Sequence, residues 1–325
     1  MTVLVRKHPG NISGKNTTEL KSIKNFNPSC SRKADCIEET ISARGVSPGL
    51  LDRTAANGLR YLQFSSLIET GVVDHFFSTR IGGVSTGCYA QTNFSFSLGD
   101  DPEAVKENYR RAAEVLGYGR TLEPFVLSAQ THTTNLRVVT EKDRGKGTVC
   151  ERDYKDIDGL VTNVPGLILV TSHADCPVLF FVDPVHRAIG LSHSGWRGTV
   201  GAIGQKTVKL MHSQYGTRPE DLRCAIGPSI CKDCYEVSSD VAEAFEQAFG
   251  RQKLEQYDVL TAKEGGKYQL GLWEANRMIL EDAGVPADRI EVTDVCTRCN
   301  PEVLFSHRIT GFKRGNLSAF LVLRE

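Results

Sequence analysis

No stretch of this chain reaches the ~18 consecutive apolar residues that a membrane-spanning helix requires. The first thirty residues also lack the apolar core of a secretory signal. Net charge is missing too, since 39 Lys and Arg balance 39 Asp and Glu. That balance gives no electrostatic reason to expect nucleic acid or an anionic membrane as a partner. No internal repeat of fixed period is visible. Cysteine, by contrast, is plentiful, with ten in 325 residues. With no signal peptide, thiols at this density read as reduced side chains rather than a disulfide framework. The expected class is a cytoplasmic enzyme, long enough to bury a sizeable core.

Residues 1–54 differ from the rest. They carry 9 Lys and Arg against 5 Asp and Glu. Their central stretch, "GNISGKNTTELKSIKNFNPSCSRKAD", is polar and aperiodic. Such a segment cannot bury enough surface to offset its ordering entropy, so it reads as a poorly ordered extension with at most a short helix over 37–44. Residues 55–325 read as one large α+β domain with mixed sheets flanked by helices, because strands come in runs with helices interspersed irregularly. Asp101-Pro102 opens a helix whose apolar face is Val105, Tyr109, Ala112 and Leu116, and Gly117 stops it. "PFVLSAQTH", "LRVVT", "GLILVTSHA", "PVLFFVD", "RAIGLSHS" and "AFLVL" read as strands. Helices are expected from "GWRGTVG" to about Tyr215, after Ser238-Ser239-Asp240, and from about Leu272 to Gly284.

The segment "SHADCPVLFFVDPVHRAIGLSHSGWRG" concentrates the chemistry. "PVLFFVD" and "RAIGLSHS" suit a hairpin. A turn centred near Val185 sets position 176 opposite 194, and so places Cys176 within about a residue of His193. His186 falls in the turn at the other end, and His173 can face either way. Taken singly, a strand Cys is usually a small buried hydrophobe. What favours a site is the run beyond His193, where Gly195 and Gly198 permit close approach of a ligand and Arg197 lies between them. A helix N-terminus there adds backbone donors for an anion. A catalytic zinc site needs a third ligand. His132 ends another predicted strand, but the sequence alone does not bring it to the hairpin.

"RIGGVS", "TNFSFSLGDD" with "AVKENYRR", "SAQTH", "DGLVTNVPGL", "ADC", "HSGWRG", "AIGPSI" with "YEV", and "CTRCNPEVLFSHR" occur together and in this order. The set resembles the laccase-domain family, long labelled multicopper polyphenol oxidoreductase and now understood as zinc-dependent purine nucleoside phosphorylases, often with adenosine deaminase activity. The resemblance runs from about residue 57 to the C-terminus. It implies one zinc held by His132, Cys176 and His193. It also implies a nucleoside and phosphate pocket lined by Arg80, Asn93 and Arg197, with Gly195 to Gly198 as its floor. The substrates it implies are a purine nucleoside and inorganic phosphate. This chain departs from the family in three places. Pro177 follows Cys176 directly, Thr133 stands where many members have Gly, and "RGN" stands where many carry "GR".

Three other readings compete. Copper, the older family label, would need many more His ligands than eight histidines without an HxH pair offer. A cysteine hydrolase would use Cys176 as nucleophile with His193 or His132 as base. Finally, Cys231-x-x-Cys234 and Cys296-x-x-Cys299 could form a structural zinc knuckle, but 61 residues separate the pairs, so ordinary buried thiols are expected.

Overall fold

The structure, a computed structural model, describes residues 49–325. Residues 1–48 of the extension expected over 1–54, including the helix at 37–44, lie outside the described residues. Fifteen strands follow in chain order: β1 (Leu50–Thr54), β2 (Arg60–Phe64), β3 (Val73–Ser78), β4 (Phe125–Leu127), β5 (Leu136–Val138), β6 (Gly159–Thr162), β7 (Ile168–His173), β8 (Val178–Asp183), β9 (Ala188–His193), β10 (Arg223–Ile226), β11 (Glu236–Ser238), β12 (Leu260–Ala262), β13 (Lys267–Leu270), β14 (Ile290–Val292) and β15 (Leu317–Leu323). Two six-stranded mixed sheets dominate. One has the order β1-β2-β3-β15-β7-β4 and the other β14-β10-β8-β9-β6-β5, with a small β11-β13-β12 sheet to one side.

Strand alternation explains how the sheets stack. In β8, Phe180 and Val182 join Phe64, Phe77, Leu169 and Leu321 of the first sheet in one apolar cluster, while Leu179 and Phe181 face the opposite way. A period of two sends successive side chains to opposite faces, so a strand buried on both faces reads as a continuous apolar run. The outer face of the second sheet packs beneath the helices Ile203–Tyr215, Ser239–Phe249 and Leu272–Asp282. The outer face of the first sheet packs on the helix Pro102–Val115. The result is four layers, helix, sheet, sheet, helix, in agreement with the expected α+β class.

The helix Pro102–Val115 begins where expected. The side chain of Asp101 accepts from Glu103 N at 2.9 Å, and Val105, Tyr109, Ala112 and Leu116 are all buried. Three expectations need correction. Residues 50–54, assigned to the extension, form β1, paired antiparallel with β2 and pinned by buried Leu50. The helix expected from "GWRGTVG" to Tyr215 is two helices, Trp196–Val200 and Ile203–Tyr215. It breaks at Gly201-Ala202, where Ala202 takes φ +54°, and a Cβ on Gly201 would sit 2.5 Å from Thr134 Cγ2. The hairpin register is also one residue further on than expected, with Val178 opposite His193. Cys176 thus lies two residues before β8, on the connection between the sheets.

Candidate metal centre

His132, Cys176 and His193 converge. One ligand atom from each lies within 4.8 Å of the others, and His132 Nε2 is 3.9 Å from Cys176 Sγ. The three come from different elements. His132 follows β4 in a left-handed backbone conformation (φ +65°), Cys176 lies between β7 and β8, and His193 ends β9. The structure therefore supplies what the sequence could not, the approach of His132 to the hairpin.

Asp158, at the entry to β6, makes that approach possible. Its carboxylate is fully buried and accepts five hydrogen bonds. His193 Nδ1 (2.8 Å) and His132 N (3.0 Å) donate to Oδ1. Thr131 N (3.1 Å), Thr133 N (2.9 Å) and Thr133 Oγ1 (2.9 Å) donate to Oδ2. One side chain thus fixes the loop that carries His132 and the ring of His193. With Nδ1 committed to Asp158, His193 presents Nε2 to the centre. Thr133 adds a hydroxyl donor that glycine could not. Burial pushes the Asp158 carboxyl up, but the bonds and charge of His193 and the Thr131 and Thr133 amides outweigh it, holding the pKa at about 2.

Cys176 and His193 polarise each other. Burial raises the Cys176 thiol, yet the His193 charge and hydrogen bonds from His132 and His193 bring it down to about 6. Burial lowers His193, and the charge of Cys176 with the Asp158 bond raises it to about 9. A thiolate beside a ligand histidine is the donor set that soft and borderline metals prefer.

Glycine at position 195 is a steric requirement. A Cβ there would lie 2.9 Å from Cys176 Sγ and 3.0 Å from His132 Cδ2. At Gly198 the nearest atoms are the carbonyl oxygens of His193 and Thr133, both at 3.4 Å, so its closeness serves helix packing. Arg197 is exposed and stacks on the Trp196 ring at 4.3 Å.

Arg80 and Asn93 occupy structural positions. Arg80 donates through Nε and Nη2 to Ala90 O and through Nη1 to Pro301 O, with its guanidinium 4.5 Å from the Phe305 ring centre. Asn93 is fully buried and clamps Ser95 O, Asp100 Oδ2, Ser95 N and Asn316 N. Arg80 nevertheless shares a cleft of about 240 Å³ with Leu304, Phe305, Ser306 and Arg314. Burial lowers the pKa of Arg314 in that cleft, and the charges of Asp175 and Cys176 oppose the lowering.

His173 and His186 stand outside the ligand set, as the hairpin reading has it for His186. Buried His173 bonds Cys176 O at 3.0 Å through Nδ1 and so steadies the Cys176 backbone. His186 pairs with Asp183 in the turn at 2.8 Å. Several neighbours escaped the sequence reading although they stand inside the quoted motifs. Asp158 opens "DGLVTNVPGL", and Asp175 is the middle of "ADC". Asp175 accepts from Thr297 Oγ1 (2.6 Å) and Arg308 N (2.6 Å), tying the Cys176 turn to the C-terminal loops. Burial pushes the Tyr235 hydroxyl up, and its ring centre lies 4.9 Å from the Arg308 guanidinium. No periodicity marks a carboxylate as the acceptor for a distant loop, so the only available signal was its membership in a motif.

Comparison with known proteins agrees with this architecture. The profile described as multi-copper polyphenol oxidoreductase laccase matches residues 74–324. The chain belongs to the multi-copper polyphenol oxidoreductase laccase family. Within it, the chain is 36% identical over 255 residues to the purine nucleoside phosphorylase YlmD of Bacillus subtilis, covering 77% of this chain and 88% of that protein. It is 34% identical to the adenosine deaminase RL5 of an unknown prokaryotic organism, covering 79% and 95% respectively. Among solved structures, the Bacillus licheniformis hypothetical protein YfiH superposes with a TM-score of 0.76 at 31% identity, covering 84% of this chain and 99% of that one.

Proposed function

We propose that this chain is a zinc-dependent purine nucleoside phosphorylase that also deaminates adenosine. The observation that carries the reading is the meeting of His132, Cys176 and His193 at one point, with Asp158 orienting both histidines. Three protein donors and an open fourth position are the pattern of catalytic rather than structural zinc. When bound, the ion supplies Lewis-acid chemistry and activates water. Everything else falls to the chain. Asp158 holds His193 in the tautomer that leaves Nε2 available. Arg197, on the Trp196 ring, and Arg308, 4.9 Å from the Tyr235 ring centre, with Arg314 of the neighbouring cleft, provide positive charge to position inorganic phosphate. A phosphate oxygen then bonds to C1′ as the bond from C1′ to the base nitrogen breaks, and the purine leaves with a proton. As that bond breaks C1′ gains positive charge, and the phosphate anion held by these fixed guanidinium groups stabilises it without reorganising. The names of the relatives support both activities.

The test is incubation with adenosine, with and without phosphate, followed by product identification. Phosphate-dependent release of a purine base with ribose 1-phosphate is expected, and inosine formation reports the deaminase. Absence of either product from zinc-loaded protein, or full phosphorolysis by a Cys176→Ala variant with no zinc at this centre, refutes the reading.

One observation favours a second reading. Cys176, His193 and Asp158 are also a nucleophile, a base and its orienting carboxylate, the arrangement of a thiol hydrolase. Iodoacetamide inactivation that persists with zinc bound, together with a trapped acyl-enzyme, selects it. The placement of His132 Nε2 against the same sulfur favours the metal.

A further inference from the structure

The two CxxC pairs, expected to be ordinary buried thiols, meet in space. The Sγ atoms of Cys231, Cys234, Cys296 and Cys299 all lie within 4.8 Å of one another. β10 and β14 pair in parallel, and the pairing continues as a bridge between Ser229 and Cys296, with Thr297 N donating to Ser229 O at 3.0 Å. Both strands therefore deliver their cysteine-bearing loops to the same end of the second sheet. The 61 intervening residues only loop out and return, so distance in sequence did not prevent the meeting.

We infer that these four cysteines form a structural zinc site with an all-thiolate ligand set, separate from the His132–Cys176–His193 centre. A tetrahedron with Zn–S bonds of ~2.3 Å places its sulfurs roughly 3.8 Å apart, and Cys234 Sγ is 3.5 Å from Cys299 Sγ. A disulfide needs ~2.05 Å. Two backbone amides, Cys231 N (3.3 Å) and Cys299 N (3.4 Å), donate to Cys296 Sγ. Such bonds suit a sulfur carrying negative charge. Cys231, Cys234 and Cys296 are buried and Cys299 is half-buried, so no position is left open to substrate and the site is closed. Scattered thiols that serve as small hydrophobes have no reason to aim four sulfurs at one point. A soft cation gives that reason.

The site also bears on the other centre. Ile230, beside Cys231, donates its N–H to Asp175 O at 2.9 Å, and Thr297, beside Cys296, donates its hydroxyl to Asp175 Oδ1. A clamp on the two cysteine loops thus holds the residue that precedes Cys176.

The test is zinc content per chain of the whole protein purified from zinc-supplemented medium, for wild type, Cys176→Ala and Cys234→Ser/Cys299→Ser. Cys176→Ala leaves the cluster intact and is expected to retain one equivalent, with an X-ray absorption edge fitted by four sulfurs. The paired serine variant should lose one equivalent relative to wild type. If that variant does not fold, the Cys176→Ala count decides alone. A zinc-free Cys176→Ala protein, an iron-loaded cluster, or disulfides within the pairs on non-reducing mass spectrometry overturns the inference. The count in Cys176→Ala is independent of whether the other centre works as a phosphorylase, so the two readings fail separately.

Discussion

Replacing Asp158 with Asn keeps the size of the side chain and removes its charge. The carboxylate serves two groups of donors, His193 Nδ1 and His132 N on one oxygen, and Thr131 N with the amide and hydroxyl of Thr133 on the other. An amide has one acceptor oxygen, so its NH2 must face one group. Turned toward His193, it meets Nδ1 as a donor and drives the ring proton to Nε2, the nitrogen needed for metal. Turned toward the threonines, it opposes two backbone N–H groups and frees the loop carrying His132. Either orientation also replaces hydrogen bonds to a charged acceptor, worth ~1.5–3 kcal/mol each, by weaker neutral ones. Loss of such an orienting group lowers metal affinity by roughly 10- to 100-fold, or about 1.4–2.7 kcal/mol. Removing the charge opposite His193 should also destabilise the metal-free fold by about 3 kcal/mol. Competition for zinc against a chromophoric chelator measures the first effect, and urea unfolding in excess chelator the second. An Asn variant that holds zinc as tightly as wild type would show that Asp158 orients neither ligand.

Gly195→Ala should abolish zinc retention at this centre, because its Cβ meets Cys176 Sγ at 2.9 Å. Gly198→Ala, with contacts no closer than 3.4 Å, should lose less than roughly 10-fold in activity, and metal analysis with phosphorolysis rates distinguishes the pair. In metal-free protein, Cys176 is a thiolate above about pH 6, so its alkylation rate should fall only below that pH. Peptide mass spectrometry reads it, and a midpoint near 9 would refute the pairing with His193. His75 accepts from Phe64 N through Nε2 at 2.9 Å, and burial lowers its pKa from 6.5 to about 3. Between those two values the unfolded chain binds a proton that the folded chain refuses, so stability is lost as the pH falls. His75→Gln should flatten that loss by roughly 1 kcal/mol per pH unit, and equal slopes in urea titrations of the two proteins would contradict it.

The parts legible in the sequence were those governed by local patterns. The cap of Asp101, the stop at Gly117 and the apolar runs of β7, β8, β9 and β15 each write themselves into a few adjacent residues. The hairpin that brings Cys176 and His193 together was visible, but its register was missed by one. The reason is the four-residue connection 184–187, which sets Asp183 opposite Ala188 and centres the turn half a residue beyond Val185. His132 stayed unplaced because its link to the hairpin is the carboxylate of Asp158, and sequence spacing carries no trace of that contact. The family resemblance named His132, and the hydrogen bonds explain it. The four-cysteine cluster was set aside on spacing alone, since a parallel pairing such as β10 with β14 hides behind any length of connection. The roles given to Arg80 and Asn93 came from motif position, and the structure shows side chains engaged in holding the backbone around them.

The three candidate ligands stand on different layers. His132 leaves the first sheet after β4, His193 ends β9 of the second, and Cys176 lies on the chain that passes from one to the other. An ion gripped by all three would therefore be a rivet through the sandwich at an edge where the chain passes from one sheet to the other. Its binding energy would be shared by two halves that otherwise adhere through apolar contacts and the hydrogen bonds of Asp158 to the His132 loop. Occupied, the rivet makes the halves open together. Emptied, it would leave that edge to the Asp158 hydrogen bonds.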